Sequence, residues 1–329
     1  MKKFFLFSCF ILLISAFLTA CGEDSRKQAN ITAKDNNQLT VYTTVYPLQY
    51  FAEAIGGDSV VVETIYPPGS DEHTFDPSQQ DMIALADSDL FFYVGLGLEG
   101  FVDKAKSSLQ NEDVTMVATG DSILATEAFA THTEQSEEHH EDDHETHSAH
   151  DEHNHGDIDP HVWIDPVYAK EMANSIKNAL IAEFPEKEEE FTNKYQSLAQ
   201  KLDTLNEQFT EVINGAENKD IIVSHAAYGY WESRYGLEQI SVSGLVTSSE
   251  PSQKDLEKII ETAKEKNINY IFFEQNVSSK ITEIVQNEIG AEALILHNLS
   301  TRTDEDIKKN RDYFTIMEDN LQSLKTGLQ

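Results

Sequence analysis

The chain has 329 residues, with 58 Asp or Glu against 24 Lys or Arg, which gives a formal net charge of −34. This length suits one large domain or two medium ones, and a hydrophobic fraction of 40% is enough to build buried cores. The acidity argues against a nucleic-acid partner, because phosphate binding needs clustered Lys and Arg, and it favours the approach of cations.

The N-terminus predicts export. Lys2 and Lys3 precede an apolar run over residues 4–18, which reads as a signal peptide over 1–20 rather than as a membrane span. The small residues before Cys21 resemble a bacterial lipobox, which implies cleavage before Cys21 and attachment of lipid to its sulfur. Residues 21–38 are polar and patternless, so we expect a lipidated tether to the membrane.

The mature chain has no thiol to spare. The full chain has two cysteines. Cys9 is expected to leave with the signal peptide, and Cys21 is expected to carry lipid. Disulfides and cysteine-type zinc sites are therefore excluded. Any metal site must be built from histidine and carboxylates.

The first half of the mature chain alternates short apolar runs with helical patterns. Strands are predicted at 39–45, 60–65, 90–94 and 114–118, with helices at 48–55, 77–86 and 99–109. Such alternation is typical of a parallel α/β sheet. Residues 39–165 are thus predicted to form an N-terminal α/β lobe.

Residues 131–157 interrupt that lobe with an acidic, His-rich segment. It contains no aliphatic residue larger than Ala, so it cannot bury a core and is predicted to be a loop. We expect it to collect zinc at low affinity, because its composition favours metal binding. The alternative is a solvated insertion with incidental metal affinity. Its histidines are His132, His139, His140, His144, His147, His150, His153 and His155.

Two long helices are predicted next, over 166–184 and 186–214, with Pro185 between them and Gly215 after them. Apolar residues recur along the second helix at spacings of four and three, which indicates core packing, a coiled coil or a stiff strut. They are Phe191, Tyr195, Leu198, Leu202, Leu205, Phe209 and Val212. Residues 166–214 are therefore predicted to link two lobes.

The α/β alternation then resumes and predicts a C-terminal lobe over 215–329. Strands are predicted at 221–223, 239–242, 270–273 and 293–296, and helices at 228–235, 253–266, 278–289 and 304–325. The predicted fold class is α/β, with two parallel-sheet lobes joined by a long rigid helix and a metal site in the cleft between the lobes.

Four histidines lie outside the His-rich segment, each beside a predicted strand end or in a connecting loop: His73, His161, His225 and His297. Ligands of open α/β sheets bind beyond the carboxyl ends of the strands, so the first three are predicted to meet in one cleft. Three imidazoles and an oxygen suit zinc, whereas manganese prefers more oxygen ligands. Zinc affinity should then fall as pH drops through about 6.5, the reference imidazole pKa.

A ligating histidine usually donates its second ring N–H to a carboxylate or a carbonyl, which fixes the ring. Candidates for this role stand near the three histidines in sequence. They are Asp71, Asp76, Asp159, Asp165 and Ser224.

The contexts of the three histidines carry a family resemblance. They read PPGSDEHTFDP at 67–77, DPHVWIDP at 159–166 and VSHAAYGY at 223–230, followed by EPS at 250–252. In this order, behind a lipobox, they resemble the zinc-specific substrate-binding lipoproteins of ABC transporters, in the adhesin-type metal-binding family. The resemblance runs from about residue 39 to the end of the chain. It implies two lobes, a rigid linking helix and His73, His161 and His225 as the metal ligands.

The fourth ligand is where the sequence departs from that family. Gram-positive members are expected to carry a glutamate in a stretch like Leu-Asn-x-Leu-Glu, but residues 296–300 read LHNLS, and Ser300 is a poor zinc ligand. Glu72, which resembles the glutamate before the first histidine of Gram-negative members, or water is the favoured substitute. Glu274 and His297 are the alternatives.

The resemblance implies a monomeric lipoprotein, not an enzyme, on the outer face of the cell membrane. It would bind Zn²⁺ with high affinity and deliver it to an ABC permease with its ATPase. A manganese-binding member of the family is one alternative, and a secreted zinc-dependent hydrolase is another, since three histidines and an open position also describe catalytic zinc. A surface protein that stores zinc or mediates adhesion is a third class. The absence of a G-x-S-x-G motif and of an evident general base near the histidines favours transport.

Overall fold

Two four-stranded parallel sheets organise the chain. The computed structural model describes residues 38–124, 158–246, 251–275 and 279–329. The strand orders are β2-β1-β3-β4 and β6-β5-β7-β8, and every strand pair is parallel. The predicted fold class of two parallel-sheet α/β lobes is therefore confirmed.

The strands lie where short β-branched and aromatic runs predicted them. The first sheet contains β1 (Leu39–Thr43), β2 (Val60–Thr64), β3 (Leu90–Tyr93) and β4 (Thr115–Ala118). The second contains β5 (Asp220–His225), β6 (Glu238–Ser243), β7 (Tyr270–Phe273) and β8 (Glu292–Ile295). Strand β3 is buried along its whole length and the edge strand β2 alternates, as expected for a central strand and an edge strand.

Eleven helices are found among the described residues. Those up to the linking region are α1 (Tyr46–Gly56), α2 (Gln79–Ala86), α3 (Val102–Leu109), α4 (Asp121–Leu124), α5 (Pro166–Glu183) and α6 (Glu188–Asn214). Those of the second half are α7 (Gly229–Tyr235), α8 (Gln253–Glu265), α9 (Lys280–Ile289), α10 (Asp304–Lys308) and α11 (Tyr313–Gly327).

The long helix α6 links the two lobes. It packs against α1 and α5, which precede it in the chain, and against α7 and α11, which follow it. Five of the seven residues of the predicted stripe are buried, whereas Tyr195 and Val212 are only half-buried and Ile213 is buried in the last turn. A helix of 3.6 residues per turn drifts by about 20° per heptad from a strict seven-residue repeat, so the buried face shifts gradually relative to the stripe towards the end of the helix.

Two predicted helices differ from the observed ones. The single helix predicted over 304–325 is two helices, because Asn310 adopts a left-handed φ of 50° and the Asp312 side chain caps a new start at α11. The helix predicted over 99–109 begins three residues later. The Glu99 side chain instead accepts the backbone N–H groups of Val94 and Gly95, at 2.7 and 2.9 Å.

The 296–301 segment, which follows β8, crosses from the second lobe to the first. Its Ser300 carbonyl accepts the backbone N–H of Tyr46 at 2.9 Å, and the Thr301 hydroxyl accepts that of Gly69 at 3.2 Å. Leu299 is fully buried with a left-handed φ of 61°, a conformation that costs energy for a residue with a side chain. The segment is thus held in a specific shape between the lobes.

Several predictions fall outside the described residues and stay predictions. These are the signal peptide, lipidation of Cys21, the tether over 21–38 and the His-rich segment over 131–157. The proposed domain limits are likewise untested. No helix in the described part of the chain combines the length and the apolarity needed to cross a membrane.

Candidate metal centre

Three histidines from distant parts of the chain meet at one point. Each of His73, His161 and His225 offers a ring nitrogen, and these three atoms all lie within 4.8 Å of one another. The Nε2 atoms of His73 and His161 are 3.1 Å apart. Tetrahedral zinc with bonds of about 2.0–2.1 Å places two nitrogen ligands about 3.3 Å apart, so the cluster needs little adjustment to hold an ion.

The fold delivers each ring from a different type of backbone. His73 lies in the loop between β2 and α2, His161 directly precedes the 3-10 turn Val162–Ile164 that leads into α5, and His225 is the last residue of β5. His161 and His225 are 0% and 1% exposed, whereas His73 is only half-buried. The cluster therefore reaches solvent on the side of His73.

Asp159 orients His161. One of its carboxylate oxygens, Oδ1, lies 2.7 Å from Nδ1 of His161 and also accepts the backbone N–H of His161 at 2.9 Å. Gly229 at the start of α7 makes room for this pair, because a Cβ atom there would come 2.9 Å from Oδ2 of Asp159. The hydroxyl of Tyr230 donates to the Asp159 carbonyl. With its Nδ1 engaged, His161 presents Nε2 to the cluster.

Glu274 does the same for His225. Its Oε1 lies 2.9 Å from Nδ1 of His225, and both side chains are buried. The Ser224 hydroxyl accepts the backbone N–H of Glu274 at 3.3 Å, so Ser224 holds the carboxylate that holds the ring. Nε2 of His225 lies 3.1 Å from the Leu245 carbonyl, which accepts a hydrogen bond from this nitrogen when the ring is charged.

The two lobes give their histidines opposite electrostatic environments. Burial, with the neighbouring His161 and His225, lowers the pKa of His73 to about 3. Burial also opposes charge on His225, but the hydrogen bond and negative charge of Glu274 outweigh it and raise the pKa of His225 to about 9. The His73 ring is therefore neutral at physiological pH, whereas His225 holds an additional proton, which a cation binding to that ring would have to displace.

The other predicted orienting residues have different roles. Asp71 accepts the backbone N–H groups of His73 and Thr74 and so shapes the loop rather than the ring. Asp165 is fully buried, caps the start of α5 and pairs with Arg234. Asp76 is exposed.

The three side chains that could supply a fourth ligand make different contacts. Glu72 is 4% exposed, and burial together with the nearby charge of Glu274 raises its pKa. Glu274 is engaged with His225. His297 points elsewhere, since its Nδ1 accepts the Leu299 backbone N–H at 2.8 Å and its Nε2 lies 3.4 Å from a carboxylate oxygen of Asp306. Among the described residues, the side chains whose ligand atoms all lie within 4.8 Å of one another are the three histidines, and Glu72 is not one of them.

Asn298 is a residue that sequence reasoning missed. Its side-chain amide donates to Glu72 Oε1 at 3.0 Å and lies 3.3 Å from Glu274 Oε2, so it contacts both buried carboxylates of the site. The LHNLS stretch at 296–300 was already a candidate source of the fourth ligand, but an asparagine in a sequence does not by itself indicate a metal site.

Comparison with known proteins places this architecture in a family. The profile of the ZnuA family, described as "Zinc-uptake complex component A periplasmic", matches residues 41–327. The chain belongs to this family. The ZnuA-family crystal structure of the Zn(II)-bound ZnuA-like domain of Streptococcus pneumoniae AdcA superposes with a TM-score of 0.70 at 30% identity, covering 88% of this chain and 99% of that one.

Two curated ZnuA-type relatives differ in length. The zinc-binding lipoprotein AdcA of Streptococcus pneumoniae R6 is 33% identical over 314 residues, which are 95% of this chain but only 59% of that protein. The high-affinity zinc uptake system protein ZnuA of Bacillus subtilis 168 is 32% identical over 325 residues, covering 99% of this chain and 96% of that protein. This chain thus spans little more than half of the streptococcal relative and nearly all of the one from Bacillus.

We expect zinc binding to release about one proton near pH 7.5, because the proton on His225 must leave. Below pH 9 the zinc affinity should fall about tenfold per pH unit, and above it the affinity should level off. This window lies higher than the reference imidazole value predicts, because Glu274 raises the His225 pKa. Calorimetric zinc titrations in buffers of different ionisation enthalpy count the protons released.

The matched variant is Glu274→Gln, which keeps the hydrogen bond and removes the charge. It should release fewer protons at the same pH, because the His225 pKa is no longer held up. Equal proton release by both proteins would contradict this account of the His225–Glu274 pair.

Proposed function

We propose that this protein is an extracytoplasmic lipoprotein that captures Zn²⁺ with high affinity and delivers it to an ABC permease and its ATPase. The observation that carries the proposal is the cluster of three imidazole nitrogens within 4.8 Å of one another, with the rings of His161 and His225 oriented by the carboxylates of Asp159 and Glu274. The printed names of its relatives, a zinc-binding lipoprotein and a zinc uptake system protein, support the same cargo. We infer that His73, His161, His225 and Glu72 are the ligands.

The donor set favours zinc over manganese. Three nitrogen atoms and one carboxylate suit the small, four-coordinate zinc ion, whereas manganese prefers six ligands dominated by oxygen. The cluster is also largely buried between the lobes, which suits an ion that is carried. A zinc hydrolase is less well supported, because catalytic zinc needs an open face for its substrate.

The sequence contains the metalloprotease spacing H-E-x-x-H once, from His140 to His144. That motif works on a helix, where the two histidines share one face. Here it falls within the acidic, His-rich segment, whose composition produces such spacings readily. It therefore adds no support to the hydrolase.

Replacement of His73, His161 or His225 by Ala should each weaken zinc binding by more than about 100-fold, since loss of a ligand should exceed the 10–100-fold cost of losing a residue that orients one. Calorimetry with a competing chelator measures the affinity. Asp76→Asn is the matched control, because this exposed carboxylate stands in the same motif as His73 and should not change zinc binding. Wild-type affinity in any of the three histidine variants would remove that residue from the ligand set.

Deletion of residues 131–157 should leave one tight zinc site and remove additional weak ones. The histidines of this segment alternate with Asp and Glu, and no Lys or Arg occurs between Lys106 and Lys170, so we propose that the segment raises the local zinc concentration. Zinc titration of the two proteins side by side gives both stoichiometry and affinity. Loss of the tight site on deletion would show that the segment contributes ligands to it.

Cys21→Ser should abolish attachment to the membrane, because the proposed lipid is bonded to the Cys21 sulfur. Cell fractionation and labelling with a radioactive fatty acid measure this directly. The Cys9→Ser variant is the control and should remain membrane-bound. Retention of the fatty-acid label by Cys21→Ser would disprove lipidation at this residue.

A further inference from the structure

Gly229 touches the carboxylate that orients His161. It is the first residue of α7, shortly after His225 in the chain. A Cβ atom at position 229 would lie 2.9 Å from Oδ2 of Asp159, which is closer than such atoms approach in proteins. The φ angle of Gly229 is not in the left-handed region, so the backbone itself does not require glycine here. What this position requires is the absence of a side chain.

The Asp159 carboxylate is held by hydrogen bonds at one of its oxygens. Oδ1 lies 2.7 Å from Nδ1 of His161 and accepts the His161 backbone N–H at 2.9 Å. Oδ2 is buried and accepts no hydrogen bond from the described part of the chain. Packing, to which Gly229 contributes, therefore keeps Oδ2 in place. An atom pushed against Oδ2 would turn the whole carboxylate, because its two oxygens are rigidly joined, and would move Oδ1 away from the imidazole.

The backbone of α7 is anchored on both sides of Gly229, so the helix resists moving back to admit a side chain. Before it, the backbone N–H of Tyr228 donates to the Gln239 side chain at 3.0 Å. After it, Trp231 is fully buried and its indole N–H donates to the Ile164 carbonyl at 3.2 Å. The Glu232 side chain also accepts the backbone N–H of Gln239 at 2.8 Å. The group that gives way to an added Cβ atom is then the carboxylate, at the free end of a short side chain.

We propose that Gly229 is a positioning residue whose lack of a side chain keeps Asp159 aligned with His161 and so raises the affinity for zinc. An ionised carboxylate only accepts hydrogen bonds, so the aligned Asp159 holds Nδ1 of His161 as a donor and leaves Nε2 for the ion. One short stretch of chain thus supplies both His225 and the glycine that sets His161. The inference rests on the proposed function, because it assigns a role around the same ion.

The test is Gly229→Ala. Alanine favours a helix more than glycine does, so the zinc-free protein should unfold at the same temperature or a higher one. The zinc affinity should nevertheless fall by about tenfold, the lower end of the cost of losing a residue that orients a ligand. Gly229→Val, with its bulkier side chain, should weaken zinc binding further. Gly100→Ala is the matched control and should not change the affinity, because a Cβ atom there meets nothing within 4 Å.

A second measurement follows His161 without zinc. Because His161 is 0% exposed, its Nδ1–H proton is shielded from exchange with water. In protein with isotopically labelled histidine this proton gives a downfield NMR signal, which Asp159→Ala identifies by removing it. We expect Gly229→Ala to shift or lose the signal and Gly100→Ala to retain it. A general loss of stability would leave the signal of the folded molecules where it is, so an unchanged signal in Gly229→Ala would contradict the proposal.

A double-mutant cycle with Asp159→Ala shows whether Gly229 acts through the carboxylate. If it does, Gly229→Ala has no further effect on zinc affinity in the Asp159→Ala background. An equal effect in both backgrounds would overturn the proposal. Should Gly229→Ala fail to fold alone, Asp159→Ala should restore folding, because it removes the oxygen that the new Cβ atom meets. A double variant that stays unfolded would count equally against the proposal.

The wild-type titration distinguishes the two levels of inference. Absence of tight zinc binding by the wild-type protein would overturn the proposed function and this inference together. Tight binding by the wild type, with Gly229→Ala unchanged in affinity, would overturn only the role of Gly229.

Discussion

The site depends on carboxylate–imidazole pairs that hold two rings in place before any ion arrives. Asp159 binds Nδ1 of His161 and Glu274 binds Nδ1 of His225, so Nε2 is the nitrogen of each ring that is left to bind an ion. A buried imidazole that rotated freely would lose entropy on binding, and its ligand nitrogen would be misplaced for part of the time. In the buried His225–Glu274 pair the attraction is strong enough to outweigh the cost of burying a charge, and it raises the pKa of His225.

The scaffold ties the two oriented rings to each other. The short helix α7 follows His225 after three residues, and its side chains reach the segment that carries His161. Tyr230 donates to the Asp159 carbonyl, and Trp231 donates to the Ile164 carbonyl at 3.2 Å. The helix that continues from one ligand thus holds the backbone around another, which couples their positions across the two lobes.

The sequence predicted the fold and the three histidines well because their signals are local. Short apolar runs in the sequence predict the strands, and distinctive motifs near the ends of strands or helices contain His73, His161 and His225. The break between α10 and α11 was missed because Asn310 does not by itself reveal a left-handed φ. The pairing of Asn298 with Glu72 spans 226 residues, so only the folded chain brings the two together.

The unequal exposure of the three rings gives the site a direction. His161 and His225 are closed off from water, while the ring of His73 remains half-buried in its loop. Of these three rings, only that of His73 is open to solvent, so a cation arriving from that side would contact His73 before the other two.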